Sequence, residues 1–94
     1  MRHIVRCHIV CIIIILSLIM DKDKLLIEFG KTVKLKRTEL KLSQEELAFK
    51  CGFDRTYISL IERGLRNISF SNLLILAYGL NTTISSLTKD IQWH

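Results

Sequence analysis

The sequence contains no proline and only four glycines. These residues punctuate loop-rich and β-rich chains, so their scarcity favours helices joined by short turns. Cysteine is sparse as well. Cys7, Cys11 and Cys51 form an odd set, and Cys51 falls inside a helical pattern. That excludes a disulfide framework and fits a reduced, cytoplasmic setting. His3, Cys7, His8 and Cys11 lack the tight pairs of a zinc site, so no metal is expected. Catalytic sets are missing too. There is no carboxylate pair suited to a cleft, no phosphate-cradling glycine loop and no nucleophile–base set, and Cys51 and His94 stand alone. Neither an enzyme activity nor a cofactor is expected.

What is present is a chain of 94 residues, enough for one small domain. A core of that size is marginal, so docking to a second copy would help it. There are 14 Lys+Arg against 9 Asp+Glu, a net charge of +5 and a pI near 9.4. Such a balance suits a polyanion, either nucleic acid or an anionic membrane surface. The composition breaks near Met20. The opening stretch, "MRHIVRCHIVCIIIILSLIM", has no acidic residue. Without residues 1–19 and their two arginines, 12 basic groups face 9 acidic ones, a net of +3.

Three readings of residues 1–19 stay open. They are upstream sequence read in frame before the start-like "MDKDKLLIEFG", an accessory helix or strand, or a membrane segment. The apolar run from Ile9 to Met20 is shorter than the roughly 20 residues that span a bilayer. No small-x-small cleavage site follows it. A membrane partner is therefore disfavoured. The chain divides into an extension, 1–19, and a domain, 20–94.

The domain reads as five helices. Leu25, Phe29 and Val33 recur at four-residue steps, predicting a helix from Lys24 to Leu40. Its inner face continues to Lys36 and Arg37, and an unpaired buried guanidinium would be costly. Ser43 followed by Glu46 is a capping box, so a second helix begins at Gln44. Leu47, Ala48 and Cys51 face inward along it, and Gly52 suits a turn at positive φ. Phe53 plugs the turn and Asp54 caps the next helix. On a wheel from Asp54 to Arg63, Ile58 and Ile61 fall together, with Tyr57 at their edge. Arg55, Thr56, Ser59 and Arg63 fall opposite. Ser69 caps a fourth helix whose Leu73, Leu76, Ala77 and Leu80 share a face, and Asn81 ends it. Thr83 or Ser85 caps a short fifth helix carrying Ile84, Leu87 and Ile91.

The joint spacing of Gln44, Ala48, Gly52, Phe53, Ile58 and Ile61 resembles the helix-turn-helix of the Cro and phage-repressor (XRE-type) family. The likeness covers about Lys24 to Leu87. It implies an all-α, compact five-helix repressor-type DNA-binding domain. Within that family, "RTYISLIERGLRNIS" is similar to the controller proteins of restriction–modification systems. Phage-type repressors and antitoxins carry parts of the same stretch. Two positions depart from the pattern: Lys41 stands where glycine is common, and Lys36 where leucine is common.

The resemblance implies a transcriptional regulator that binds a palindromic operator in double-stranded DNA as a homodimer. It would reach the major groove through the polar face of the third helix. It also allows contact with RNA polymerase. A different class of function, a membrane-tethered interaction module, would use residues 4–20 as its anchor. Arg55 is the candidate for bidentate guanine readout, with Thr56 and Ser59 beside it. Tyr57 suits either DNA contact or the core. Gln44 suits a phosphate clamp at a helix N-terminus. Arg66 and Asn67 are candidates for backbone contacts, as is Arg63 at the far end of the helix. Arg37 and Glu62 are implied to form a structural ion pair. The apolar groups left over toward the C-terminus, Leu74, Ile75, Tyr78, Ile84, Leu87, Ile91 and Trp93, are expected at the dimer interface.

Overall fold

A computed structural model describes residues 22–89 and residue 91. The extension 1–19, and Trp93 of the expected dimer interface, lie outside the described residues. Among the described residues there are five helices and no strand. They are α1 (22–39), α2 (Gln44–Cys51), α3 (Arg55–Glu62), α4 (Phe70–Gly79) and α5 (Ile84–Thr88). None of them is long and apolar enough to cross a membrane.

Each boundary has a local cause. α1 stops just before Leu40, one residue earlier than the apolar pattern predicts, because Lys41 takes φ 58° and turns the chain. That left-handed conformation explains why glycine suits this position. The Leu42 N–H then donates to the Arg37 carbonyl at 3.1 Å, and Arg37 Nη1 donates back to the Leu42 carbonyl at 2.7 Å. Ser43 and Glu46 form the predicted capping box at the start of α2. Gly52 ends α2 at φ 72°, and the Phe53 N–H reaches the Ala48 carbonyl at 2.8 Å. Asp54 caps α3, Ser69 caps α4, and Thr83, not Ser85, caps α5. Asn81 closes α4 at φ 55°, and its side-chain oxygen accepts from Lys50 Nζ at 3.1 Å.

The core sits where the helices meet. Val33 of α1, Leu47 of α2, Ile58 and Ile61 of α3, Leu76 of α4 and Leu87 of α5 are all sealed from solvent. α1 approaches the end of α3 backbone to backbone at Gly30. A Cβ there would strike the Ile61 carbonyl oxygen and lie 2.6 Å from that of Glu62. Any larger residue would lift α1 off the helix that follows the turn.

The C-terminal expectations need correction. Leu87 is completely buried in its own chain's core and offers no surface to a partner. α5 ends at Thr88, so Ile91 is not on it; Ile91 and Ile84 both pack against the same core. The helix is too short to present two apolar faces. Leu74, Ile75 and Tyr78 of α4 remain exposed, Tyr78 at 72%.

Candidate nucleic-acid interface

α2 and α3 are joined by a three-residue turn, and this unit sets the geometry of the site. Ile58 and Ile61 anchor α3 from below. The opposite side therefore faces outward. Arg55 and Thr56 are exposed in its first turn, and Ser59 follows one turn on, half-buried. The Asp54 side chain turns back to accept from the Thr56 N–H at 3.1 Å, so it is occupied in capping. Arg63 is exposed but caps the far end of the helix. That is about 12 Å along the axis from Arg55 at 1.5 Å per residue.

The other acidic group of α3, Glu62, points inward. Arg37 Nε donates to its Oε2 at 2.6 Å and Arg37 Nη2 to its Oε1 at 3.0 Å. Both residues are 8% exposed. The hydrogen bond to Glu62, joined by its charge, raises the Arg37 pKa above the ordinary arginine value. The guanidinium is thus charged at any working pH. Gln44 shares this carboxylate, its Nε2 donating to Glu62 Oε1 at 3.0 Å. The amide expected to clamp a phosphate is held from behind. One Nε2 hydrogen is committed to Glu62, and the second remains for an outward acceptor.

With both carboxylates of the α3 region engaged, the outward face is cationic. Among the described residues, Arg55, Arg63 and Arg66 form no ion pair. Arg66 lies over the Tyr57 ring at 5.4 Å from its centroid, within cation–π range. Asn67 is exposed, and its Oδ1 accepts from the Ile68 N–H at 3.1 Å, which stiffens the turn before α4. Tyr57 is half-buried and packs edge-on against Phe53 with centroids 5.0 Å apart. Its hydroxyl accepts from Asn72 Nδ2 at 3.0 Å.

Asn72 is the residue that sequence reasoning missed. The available signal was its place three residues after the Ser69 cap, where a glutamate or glutamine would complete a second capping box. An amide there is left free to reach another helix.

The chain is similar to several known proteins. A family model described as Helix-turn-helix matches residues 33–87. The chain is similar to the Control protein C.MunI of Mycoplasma sp, at 46% identity over 67 residues, 70% of this chain and 90% of that protein. Among solved structures it is similar to the restriction–modification controller protein C.AhdI from Aeromonas hydrophila. There the identity is 45%, the match covers 66% of this chain and 94% of the other, and the TM-score is 0.65. The controller protein C.Esp1396I, solved as a tetramer in complex with its natural 35 base-pair operator, matches at 36% identity. That match covers 71% of this chain and 88% of the other, with a TM-score of 0.65.

Proposed function

We propose, from the premise that this chain belongs to the helix-turn-helix family and resembles its control proteins along most of their length, that it reads an operator. The chain is a DNA-binding transcriptional regulator and not an enzyme. Its finer role is that of a restriction–modification controller working in the cytoplasm, bound as a dimer to a palindromic site. The domain 20–94 carries both DNA binding and dimerisation.

The observation that carries this reading is the first turn of α3. Arg55 and Thr56 stand exposed there, while the Asp54 carboxylate is engaged in capping the helix and Glu62 is buried against Arg37. A helix end of this kind fits the major groove, where a guanidinium pairs with guanine O6 and N7. Arg66 and the second Gln44 hydrogen flank it as donors to phosphate oxygens.

Replacing Arg55 by alanine tests the assignment. The preferred sequence is first selected from a random DNA pool, and binding to it and to random DNA is then compared. Loss of one bidentate base contact is expected to cost about 1–3 kcal/mol at one operator position. Equal loss on specific and random DNA would remove Arg55 from base readout.

A further inference from the structure

Tyr57 is held on three sides. Phe53 meets its ring edge-on, Arg66 lies over its face, and Asn72 donates to its oxygen. A phenol hydroxyl carries one hydrogen and, because its other lone pair is conjugated with the ring, one strong in-plane acceptor site. Among the described residues nothing accepts that hydrogen. Asn72 itself is fixed, because its backbone N–H donates to the Ser69 cap at 3.2 Å. The side chain of α4 thereby governs a hydroxyl on α3, one residue along from Thr56 and two from Arg55.

We infer that Asn72 is a positioning residue for DNA reading. By filling the acceptor side of the Tyr57 hydroxyl, it leaves the O–H to donate, so Tyr57 recognises hydrogen-bond acceptors and not donors. This inference rests on the DNA-interface reading of α3. The matching acceptors are guanine O6 or N7, adenine N7, thymine O4 or a phosphate oxygen. The donors it rejects are adenine N6 and cytosine N4. An aspartate at position 72 would accept the phenolic proton and present the acceptor site to the DNA. A leucine there would leave the hydroxyl free to rotate and still donate.

The test is a double-mutant cycle on the full chain. Asn72→Asp and Asn72→Leu are each made in the wild type and in the Tyr57→Phe background. Binding is measured to the selected operator and to all its single-base variants. The Asn72→Asp chain is expected to fold, since an acid in the first turn of α4 favours the helix. Thermal unfolding checks this directly.

In the wild type, Asn72→Asp should weaken binding about five- to tenfold more than it does in the Tyr57→Phe background, the scale of one net hydrogen bond. Asn72→Leu should lose clearly less than Asn72→Asp. A change confined to one base pair identifies a base acceptor; a uniform change identifies a phosphate. Equal losses from Asn72→Asp with and without the tyrosine hydroxyl would overturn the inference, as would Asn72→Leu losing as much as Asn72→Asp. A wild type with no preference for any sequence would instead sink the interface reading beneath it.

Discussion

Removing either member of the Arg37–Glu62 pair should destabilise the domain far more than removing both. The guanidinium makes two hydrogen bonds to the carboxylate, at 2.6 and 3.0 Å, in a site where each residue is 8% exposed. Taking away Arg37 strands the carboxylate with only the Gln44 amide. Taking away Glu62 strands a guanidinium that retains only the Leu42 carbonyl. Breaking one side of such a buried pair costs about 3–5 kcal/mol. Small domains have about 5–15 kcal/mol in total, so either single change removes a large share. Replacing both by apolar groups of similar volume removes both desolvation penalties and can be near neutral.

The assay is urea unfolding of wild type, Arg37→Met, Glu62→Leu and the double variant. The double variant should lose far less stability than the sum of the two single losses. This coupling should survive high salt, because the pair is buried. The Lys31–Glu28 contact at 3.6 Å, with side chains 70% and 46% exposed, should contribute little and be screened. Additive single losses would refute the reasoning and return Arg37 to the candidate phosphate contacts.

Three other outcomes are expected. Lys41→Gly should raise stability by about 1 kcal/mol, since lysine bears a steric cost at φ 58°; an unchanged urea midpoint would mean that the turn carries no strain. The Ser43 backbone N–H holds the Glu46 pKa below the ordinary carboxylate value, so its contribution is present above that value and is lost as pH falls through the lowered one. Glu46→Gln should flatten the acid side of the urea-midpoint profile, and an unaltered profile would exclude the cap as its source. Leu74→Asp combined with Tyr78→Asp should shift sedimentation toward the monomer without unfolding the chain, whereas a persistent dimer would place the interface off this face of α4.

The caps and the turn were legible in the sequence because they depend on neighbours along the chain. Ser43 with Glu46, Gly52, Asp54 and Ser69 each act within a few residues. Arg37 posed a question that periodicity alone could not answer. Its partner lies 25 residues away, and only the family likeness pointed to Glu62. Leu87 was misplaced for a related reason. A helical pattern shows that a residue is apolar, but not which of two apolar surfaces it joins. In a five-residue helix, the core claims it first. Asn72 was invisible because an asparagine near a cap already has a local explanation, and its bond to Tyr57 depends on how α4 lies across α3.

Glu62 links folding to the surface proposed to face DNA. Its carboxylate accepts three donors, two from Arg37 and one from Gln44. The first two tie α1 to the end of α3. The third fixes a side chain at the first residue of α2, where a helix N-terminus already favours an anion. At that terminus, the Glu46 N–H is taken by the Ser43 hydroxyl and the Leu47 N–H by the Ser43 carbonyl. The backbone N–H groups of Gln44 and Glu45 have no such partner among the described residues. A phosphate there would meet those two groups and the outward hydrogen of the Gln44 amide. Glu45 brings a negative charge to the same turn and opposes the phosphate. The amide held by Glu62 therefore counts for more than its single hydrogen bond suggests. The residue that neutralises the buried arginine also holds in place the Gln44 amide proposed as a phosphate clamp.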